Sequence, residues 1–114
     1  MKISEEALYT ALNEFIDFEI MPLAASMDLP KQFLFGLKIG VVKYGIQNVV
    51  KTYLNKPEMQ TLGIVDENGN IVVDHIYQAA RDTLAKVQKL ELGGITFKER
   101  DLQALYSTVQ RYAH

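Results

Sequence analysis

The chain has 114 residues, of which 48% are hydrophobic and 23% charged, and its formal net charge at pH 7 is -2. This length and composition predict a single globular domain, residues 1–114, that can bury a core of its own. The small net charge gives no overall field to attract nucleic acid or an anionic membrane. The absence of cysteine excludes disulfides, thiolate nucleophiles and thiolate metal ligands.

The N-terminal segment predicts an acidic helix. Ser4 is a suitable N-cap, and Glu5 and Glu6 favour the positive end of the helix dipole. Apolar residues then recur at helical spacing, at Leu8, Leu12, Phe15, Ile16 and Leu23. Pro22 is expected to kink or end this helix, because it lacks a backbone donor and crowds the preceding turn.

Residues 29–57 predict a long basic helix in the centre of the chain. Asp28 and Pro30 are typical of a helix start, and Asn55 and Pro57 of its end. The segment has no acidic residue and five lysines, which are Lys31, Lys38, Lys43, Lys51 and Lys56. A helix of about 25 residues is ~37 Å long, whereas a compact domain of this size has a radius of gyration of about 13 Å. The helix is therefore as long as the domain is wide.

The second half predicts a small hairpin. Asn68-Gly69 separates two short runs rich in β-branched residues, 62–65 and 71–73, and this is the strongest short-range hairpin signal. Leu90-Glu91-Leu92 is a candidate third strand, and Gly93-Gly94 after it predicts a break.

Two further helices are predicted around these strands. Asp74 is expected to cap a helix that ends near Lys89, and Thr96-x-x-Glu99 fits a capping box for the last helix. The core stripe of that last helix is Leu102, Leu105, Tyr106 and Val109. The fold class is thus α+β and mostly α: two long N-terminal helices, a small β-hairpin and two C-terminal helices. The helical pair occupies 4–55, and the hairpin with its two helices occupies 57–113.

The polar motifs do not indicate catalysis or a metal site. Asp66, Asn68 and Asn70 resemble a calcium loop, but the glycine and the bidentate glutamate of an EF-hand are not at the required positions. His75 falls near a helix start without a nucleophile beside it, and His114, the last residue, is expected to be mobile. We therefore predict no enzymatic activity, no cofactor and no metal. The sequence starts without the apolar run of a signal peptide, which predicts a cytoplasmic protein.

The lysines of the long helix allow two interpretations. Lys43 and Lys51 share a polar stripe, whereas Lys38 points almost the opposite way, so the charges are not gathered on one face as in a phosphate-binding helix. A basic helix after an acidic one is typical of an antiparallel pair, either within one chain or between two. The alternative is a nucleic-acid-associated regulator that uses Lys43, Lys51 and Lys56 once the protein has dimerised.

The same helix is apolar over most of its circumference. Lys38 and Lys43 interrupt its apolar run, 33–46, and a lysine at a bilayer centre costs ~2.5–3.5 kcal/mol, so a membrane span is not expected. One neighbouring helix cannot cover such a surface. We therefore predict a homodimer whose interface includes Leu34, Leu37, Val41, Val42, Ile46, Val49 and Val50. The alternative is a monomer in which the C-terminal elements wrap the helix.

The second half also resembles a group of known sequences. Residues 62–77, followed by Gly94-Ile95-Thr96-Phe97 and by Asp101, Leu102, Leu105 and Tyr106, look like small uncharacterised proteins of phages and prophages in Gram-positive bacteria. This resemblance implies a phage or mobile-element setting and no particular activity. Together the patterns predict a non-enzymatic assembly or interaction protein of this setting, with the nucleic-acid regulator as the alternative.

Overall fold

The protein, as described by a computed structural model, is mostly helical with two small antiparallel sheets. The structure describes residues 1–87, 90–92 and 95–114, and within them all side chains except those at 49, 53, 90–92, 95 and 97. Its α-helices are α1 (Glu5–Phe15), α2 (Leu29–Leu54), α3 (Pro57–Thr61), α4 (Val73–Val87) and α5 (Glu99–Tyr112). Its strands are β1 (Lys2–Ile3), β2 (Ile71–Val72), β3 (Leu90–Leu92) and β4 (Ile95–Phe97). The predicted fold class is confirmed.

The first helix begins where the sequence predicts. The hydroxyl of Ser4 accepts a hydrogen bond from the backbone N–H of Ala7 at 3.1 Å, which satisfies one donor of the first turn. Beyond α1 the chain continues through a π-helical turn, Ile16–Ile20, and a 3₁₀ turn, Met21–Ser26. Pro22 lies in the first turn of the 3₁₀ segment, where a missing N–H costs little.

The long helix α2 also has the predicted bounds. Asp28 caps it, because its Oδ1 accepts the backbone N–H of Lys31 at 3.1 Å. The helix ends at Leu54, and Pro57 then opens the short helix α3, which the sequence analysis did not predict. With 26 residues α2 is ~39 Å long. The molecule measures 48 × 28 × 24 Å, so α2 nearly spans its longest dimension.

The predicted hairpin forms only in part. Gly69 adopts φ 81° in the turn, and Val65 bridges Ile71 across it. The main partner of β2, however, is β1, in the register Lys2↔Val72 and Ile3↔Ile71. His114, which was expected to be mobile, is held by two hydrogen bonds, because its backbone N–H and C=O each bond to Lys2 at 2.8 Å. Strand β1 therefore lies between β2 and His114.

Two predicted helix caps are wrong. Helix α4 begins at Val73, directly after β2, so Asp74 lies inside the first turn and accepts the hydroxyl of Tyr106 at 2.7 Å. Thr96 belongs to β4, which pairs with β3, and Lys98 takes the N-cap position of α5. The strand at Leu90–Leu92 is confirmed. The predicted helix end at Lys89 and the break at Gly93-Gly94 lie outside the described residues.

The core consists of two clusters joined by residues 5–26, the continuous run of α1, the π-helical turn and the 3₁₀ turn, which we call the first helical segment. The first lies beside the β1–β2 sheet and contains Ile3, Leu8, Ala11, Val65, Ile71, Val73 and Val109. The second lies at the other end of the segment and contains Phe15, Ile16, Ile20, Phe35 and Ile39. Helix α1 packs on α5, where Arg111 and Glu14 form an ion pair at 3.3 Å. Among the described residues, helix α2 contributes buried side chains only to the second cluster.

Replacing Gly69 tests the turn that positions β2. Gly69→Ala is expected to lower the free energy of unfolding by ~1–2 kcal/mol, because a Cβ disfavours a positive φ. Gly69→Asn is the matched control. Its free energy of unfolding should fall less than that of Gly69→Ala, since asparagine tolerates a positive φ. Urea denaturation of the three proteins would measure the difference. Equal midpoints for the wild type and Gly69→Ala would contradict this turn geometry.

Candidate functional site

The most unusual surface of the protein is one side of α2. Six large apolar side chains there are exposed, and we call them the outer face: Leu29, Phe33, Leu34, Leu37, Val41 and Tyr44, with exposed fractions of 79, 68, 56, 55, 73 and 71%. At 100° per residue they fall within an arc of about 140° over ~23 Å of helix. In residues 29–45, all of which the structure describes, the lysines lie outside this arc.

The outer face ends abruptly along the helix. Beyond Tyr44 the same side of α2 carries Gln47, Asn48 and Lys51, all exposed and polar. Gly40 lies within the apolar arc, and a Cβ built on it would meet no atom within 4 Å. The surface is therefore apolar, uncharged and open only over the first two-thirds of α2.

The opposite side of α2 faces its own chain. Phe35 and Ile39 are buried in the second cluster, and Ile46 packs against it. Nearer the C-terminal end of the helix, Val50 and Leu54 pack against the first cluster. Helix α2 is thus apolar on both sides, and a helix that is apolar all round is normally buried all round.

The predicted interface residues divide between these two sides. Leu34, Leu37 and Val41 lie on the outer face, whereas Val42, Ile46 and Val50 are half-buried on the inner side. The side chain of Val49 lies outside the described residues. The outer face also includes Leu29, Phe33 and Tyr44, which the prediction omitted. The sequence feature that could have identified this side of the helix is an apolar residue at every fourth position, at Leu29, Phe33, Leu37 and Val41.

An ion pair joins α2 to the first helical segment. Lys43 Nζ lies 2.5 Å from Asp17 Oδ1, so the basic helix does pair with the acidic segment of the same chain. Tyr9 lies at the same contact, 3.5 Å from the carbonyl of Gln47, and donates to Glu5. Burial and this bond to Glu5 raise the pKa of Tyr9 to about 12. One of the three lysines proposed to contact nucleic acid is therefore already paired.

Helix α2 is also long and apolar enough to cross a membrane. This holds by length and composition for Leu29–Thr52, but only 12% of its most apolar stretch is buried inside the protein. The core helix of a globular protein satisfies the same criterion and is mostly buried. The low burial of α2 therefore separates it from an ordinary core helix, and the described residues of the chain leave its outer face uncovered.

A large apolar cavity lies on the inner side of α2. It has a volume of about 600 Å³ and is partly open to solvent. Its walls come from the first helical segment, α2, α4 and α5, and include the half-buried Val42, Ile46 and Ala80, while the fully buried Ile3, Ile71 and Val73 lie at its base in the core. The lining consists of aliphatic and aromatic side chains and the backbone of Gly45. The cavity lies between the two core clusters that α2 bridges.

The polar residues singled out in the sequence have structural roles here. Asp66 Oδ1 accepts the backbone N–H groups of Asn68 and Asn70 at 2.9 Å, and Oδ2 accepts Lys2 Nζ at 2.8 Å. Nδ1 of His75 donates to the carbonyl of Gly63 at 2.6 Å. In the part of the chain that the structure describes, no three His, Cys, Asp or Glu side chains are grouped so that they could hold a metal ion.

Comparison with known proteins identifies no relative. No family model, curated protein or solved structure matches the chain. The surfaces of α2 are therefore the basis for a functional proposal.

The contacts of Asp66 are expected to make the stability of the fold depend on pH in the acidic range. Lys2 and the two backbone N–H groups hold the pKa of Asp66 below its usual value. The folded protein therefore binds fewer protons than the unfolded chain just below pH 4, and stability present above this pH is lost as the pH falls through the folded pKa. Asp66→Asn should lower the urea midpoint of unfolding at pH 6. Between pH 6 and pH 3 the midpoint should then fall less in this variant than in the wild type. An unchanged pH dependence in this variant would show that the Asp66 contacts do not contribute.

Proposed function

We propose that this protein is a non-enzymatic assembly protein that forms a homodimer through the outer face of α2. The observation that carries the proposal is the exposure of six large apolar side chains on a helix whose other side is already packed. Exposed apolar patches of several hundred Å² are typical of interaction sites. A second copy of the same chain is the simplest binding partner for this face, because closed two-fold dimers are the commonest assemblies.

The area of the outer face supports a dimer of modest size. At on the order of 100 Å² per exposed large side chain, the six present roughly 600 Å² per chain. Stable interfaces bury about 800 Å² per partner. Neighbouring side chains at the rim would supply the difference, and the apolar, aromatic centre matches the composition of an interface core.

The arrangement of charge supports pairing between two identical faces. In a two-fold interface each residue meets the same patch on the partner, so any lysine within the patch would oppose its own copy. Lys31 and Lys38 lie outside the apolar arc, and Lys43 pairs with Asp17. Gly40 adds no side chain to the middle of the face, which favours close approach of two antiparallel helices.

Two other binding partners for the outer face, a bilayer and a nucleic acid, receive less support. A bilayer would have to accept Lys38 and the Lys43–Asp17 pair, and charged groups are costly in the hydrocarbon region. A nucleic acid would need basic residues on a common face, whereas the outer face is uncharged. The absence of catalysis, the cytoplasmic location and the phage or prophage setting stay predictions, because no comparison tests them.

A charge placed in the outer face tests the dimer. Leu37→Glu is expected to yield a monomer, because each copy would place a carboxylate against an apolar surface or against its own counterpart. Asn48→Glu is the matched control, since it adds the same charge to an exposed position of α2 beyond the apolar patch. Light scattering after gel filtration would give about twice 12.9 kDa for the wild type and the control, and 12.9 kDa for Leu37→Glu.

Other outcomes would count against the proposal. A wild-type mass of 12.9 kDa at every concentration up to about 100 μM, well above the dissociation constant of an ordinary dimer, would remove it. A monomer that floats with vesicles of neutral and anionic phospholipid, and loses this property in Leu37→Glu, would assign the outer face to a membrane surface instead. Circular dichroism would show whether each variant keeps its helical fold.

A further inference from the structure

The cavity on the inner side of α2 is a second apolar feature, independent of the outer face. Its volume of about 600 Å³ falls within the range of small-molecule sites, roughly 300–1,000 Å³. It is several times larger than an apolar cavity that holds one benzene, about 150 Å³. The outer-face dimer would not fill it, because the two surfaces lie on opposite sides of the helix.

The lining of the cavity determines which kind of ligand fits. Among the described lining residues, hydroxyls occur only on Tyr77 and Tyr106, and that of Tyr106 already donates to Asp74 at 2.7 Å. A ligand with polar atoms inside would lose their hydrogen bonds to water without replacement. The buried part of the ligand must therefore be a hydrocarbon.

The shape of the cavity favours a linear hydrocarbon. Along α2 the lining runs from Ile39 to Val50, a distance of ~16 Å at 1.5 Å per residue. The first helical segment contributes lining residues from Leu8 to Ile20 along the same cavity. A space of about 600 Å³ that extends ~16 Å along α2 suits an extended alkyl chain better than a compact ring system.

The charges beside the cavity differ between the start and the middle of α4. Asp74, in the first turn, bonds to the lining residue Tyr106 and would repel an anion. Arg81, two turns later, holds its guanidinium 5.9 Å from the ring centroid of the lining residue Tyr77. Its partner Glu99 is 3.2 Å away in an exposed ion pair, which a competing carboxylate can replace at small cost.

We infer that the inner cavity of α2 binds a long-chain carboxylic acid, with the alkyl chain along α2 and the carboxylate at Arg81. The alkyl chain gains affinity by leaving water, and the carboxylate sets its direction. This inference does not depend on the proposed dimer, since neither the cavity lining nor Arg81 belongs to the outer face.

Calorimetric titration with saturated acids of ten, twelve and fourteen carbons, each below its aggregation limit, would test the hydrocarbon site. Affinity should rise about two- to fourfold with each added methylene, as burial of a methylene predicts. Gly45→Leu and Ala80→Leu each add a side chain at a lining position, and a Cβ on Gly45 meets no atom within 4 Å. Both variants should weaken binding of the fourteen-carbon acid at least tenfold.

Gly40→Leu is the matched control for the filled cavity. It makes the same change on the same helix but on the outer face, and it should leave binding of the acid unchanged. Leucine favours a helix more than glycine does, so both α2 variants are expected to fold. If Gly40→Leu weakened binding as much as Gly45→Leu, the acid would be bound on the outer face and the inference would be wrong. Absence of chain-length-dependent binding to the wild type would also overturn it.

Arg81→Gln tests the position of the carboxylate. The affinity for the fourteen-carbon acid should fall roughly two- to fivefold, the range expected for an exposed ion pair. The affinity for the corresponding fourteen-carbon alcohol should not change. Equal effects of Arg81→Gln on the acid and the alcohol would overturn the assignment of the carboxylate to Arg81.

Discussion

The structure depends on one constraint: a 26-residue helix is apolar on two sides, and the described residues of the rest of the chain cover only one of them. The inner side of α2 packs on the first helical segment through Phe35 and Ile39. The outer face stays exposed because the remaining elements surround the first helix and the β1–β2 sheet instead.

The ion pair between α2 and the first helical segment follows the orientation of α2 and does not determine it. The Lys43–Asp17 pair is partly exposed, and such pairs contribute about 0–1 kcal/mol. It lies beside the inner side of α2, where Ile39 is buried and Ile46 is half-buried, and it therefore agrees with the orientation that apolar packing sets. The outer face carries no charge because its own residues are apolar.

The sequence predicted the helices well because their signals are local. Ser4 and Asp28 cap helices as expected, since a capping oxygen acts within three residues. Strand β1 was missed because two residues carry no periodic pattern and their partner lies about seventy positions away. Asp74 was misassigned as a cap for a related reason. Its role depends on Tyr106, a distant residue that no local pattern connects to it.

The candidate surfaces were predicted less completely, and the reason is physical. A helix with a narrow apolar stripe shows in its sequence which side is buried, whereas α2 is apolar nearly all round and gives no such direction. Leu37 and Ile46 therefore looked equivalent in the sequence, although one is exposed and the other half-buried. The direction is set by the second core cluster, which forms only when the first helical segment has folded against α2.

The inner cavity follows from the same geometry. Helix α2 packs on the second core cluster through Phe35 and Ile39, and on the first cluster through Val50 and Leu54. Between these two contacts it spans a gap, which is the cavity. Long helices curve only gently, with radii of ~60–100 Å, so α2 does not bend sharply enough to close such a gap. If a partner on the outer face shifted α2, the width of the cavity would change with it. If dimer formation changed the affinity for the ligand by some factor, the ligand would change the affinity of the dimer by the same factor. This equality follows from thermodynamic linkage between the two binding equilibria.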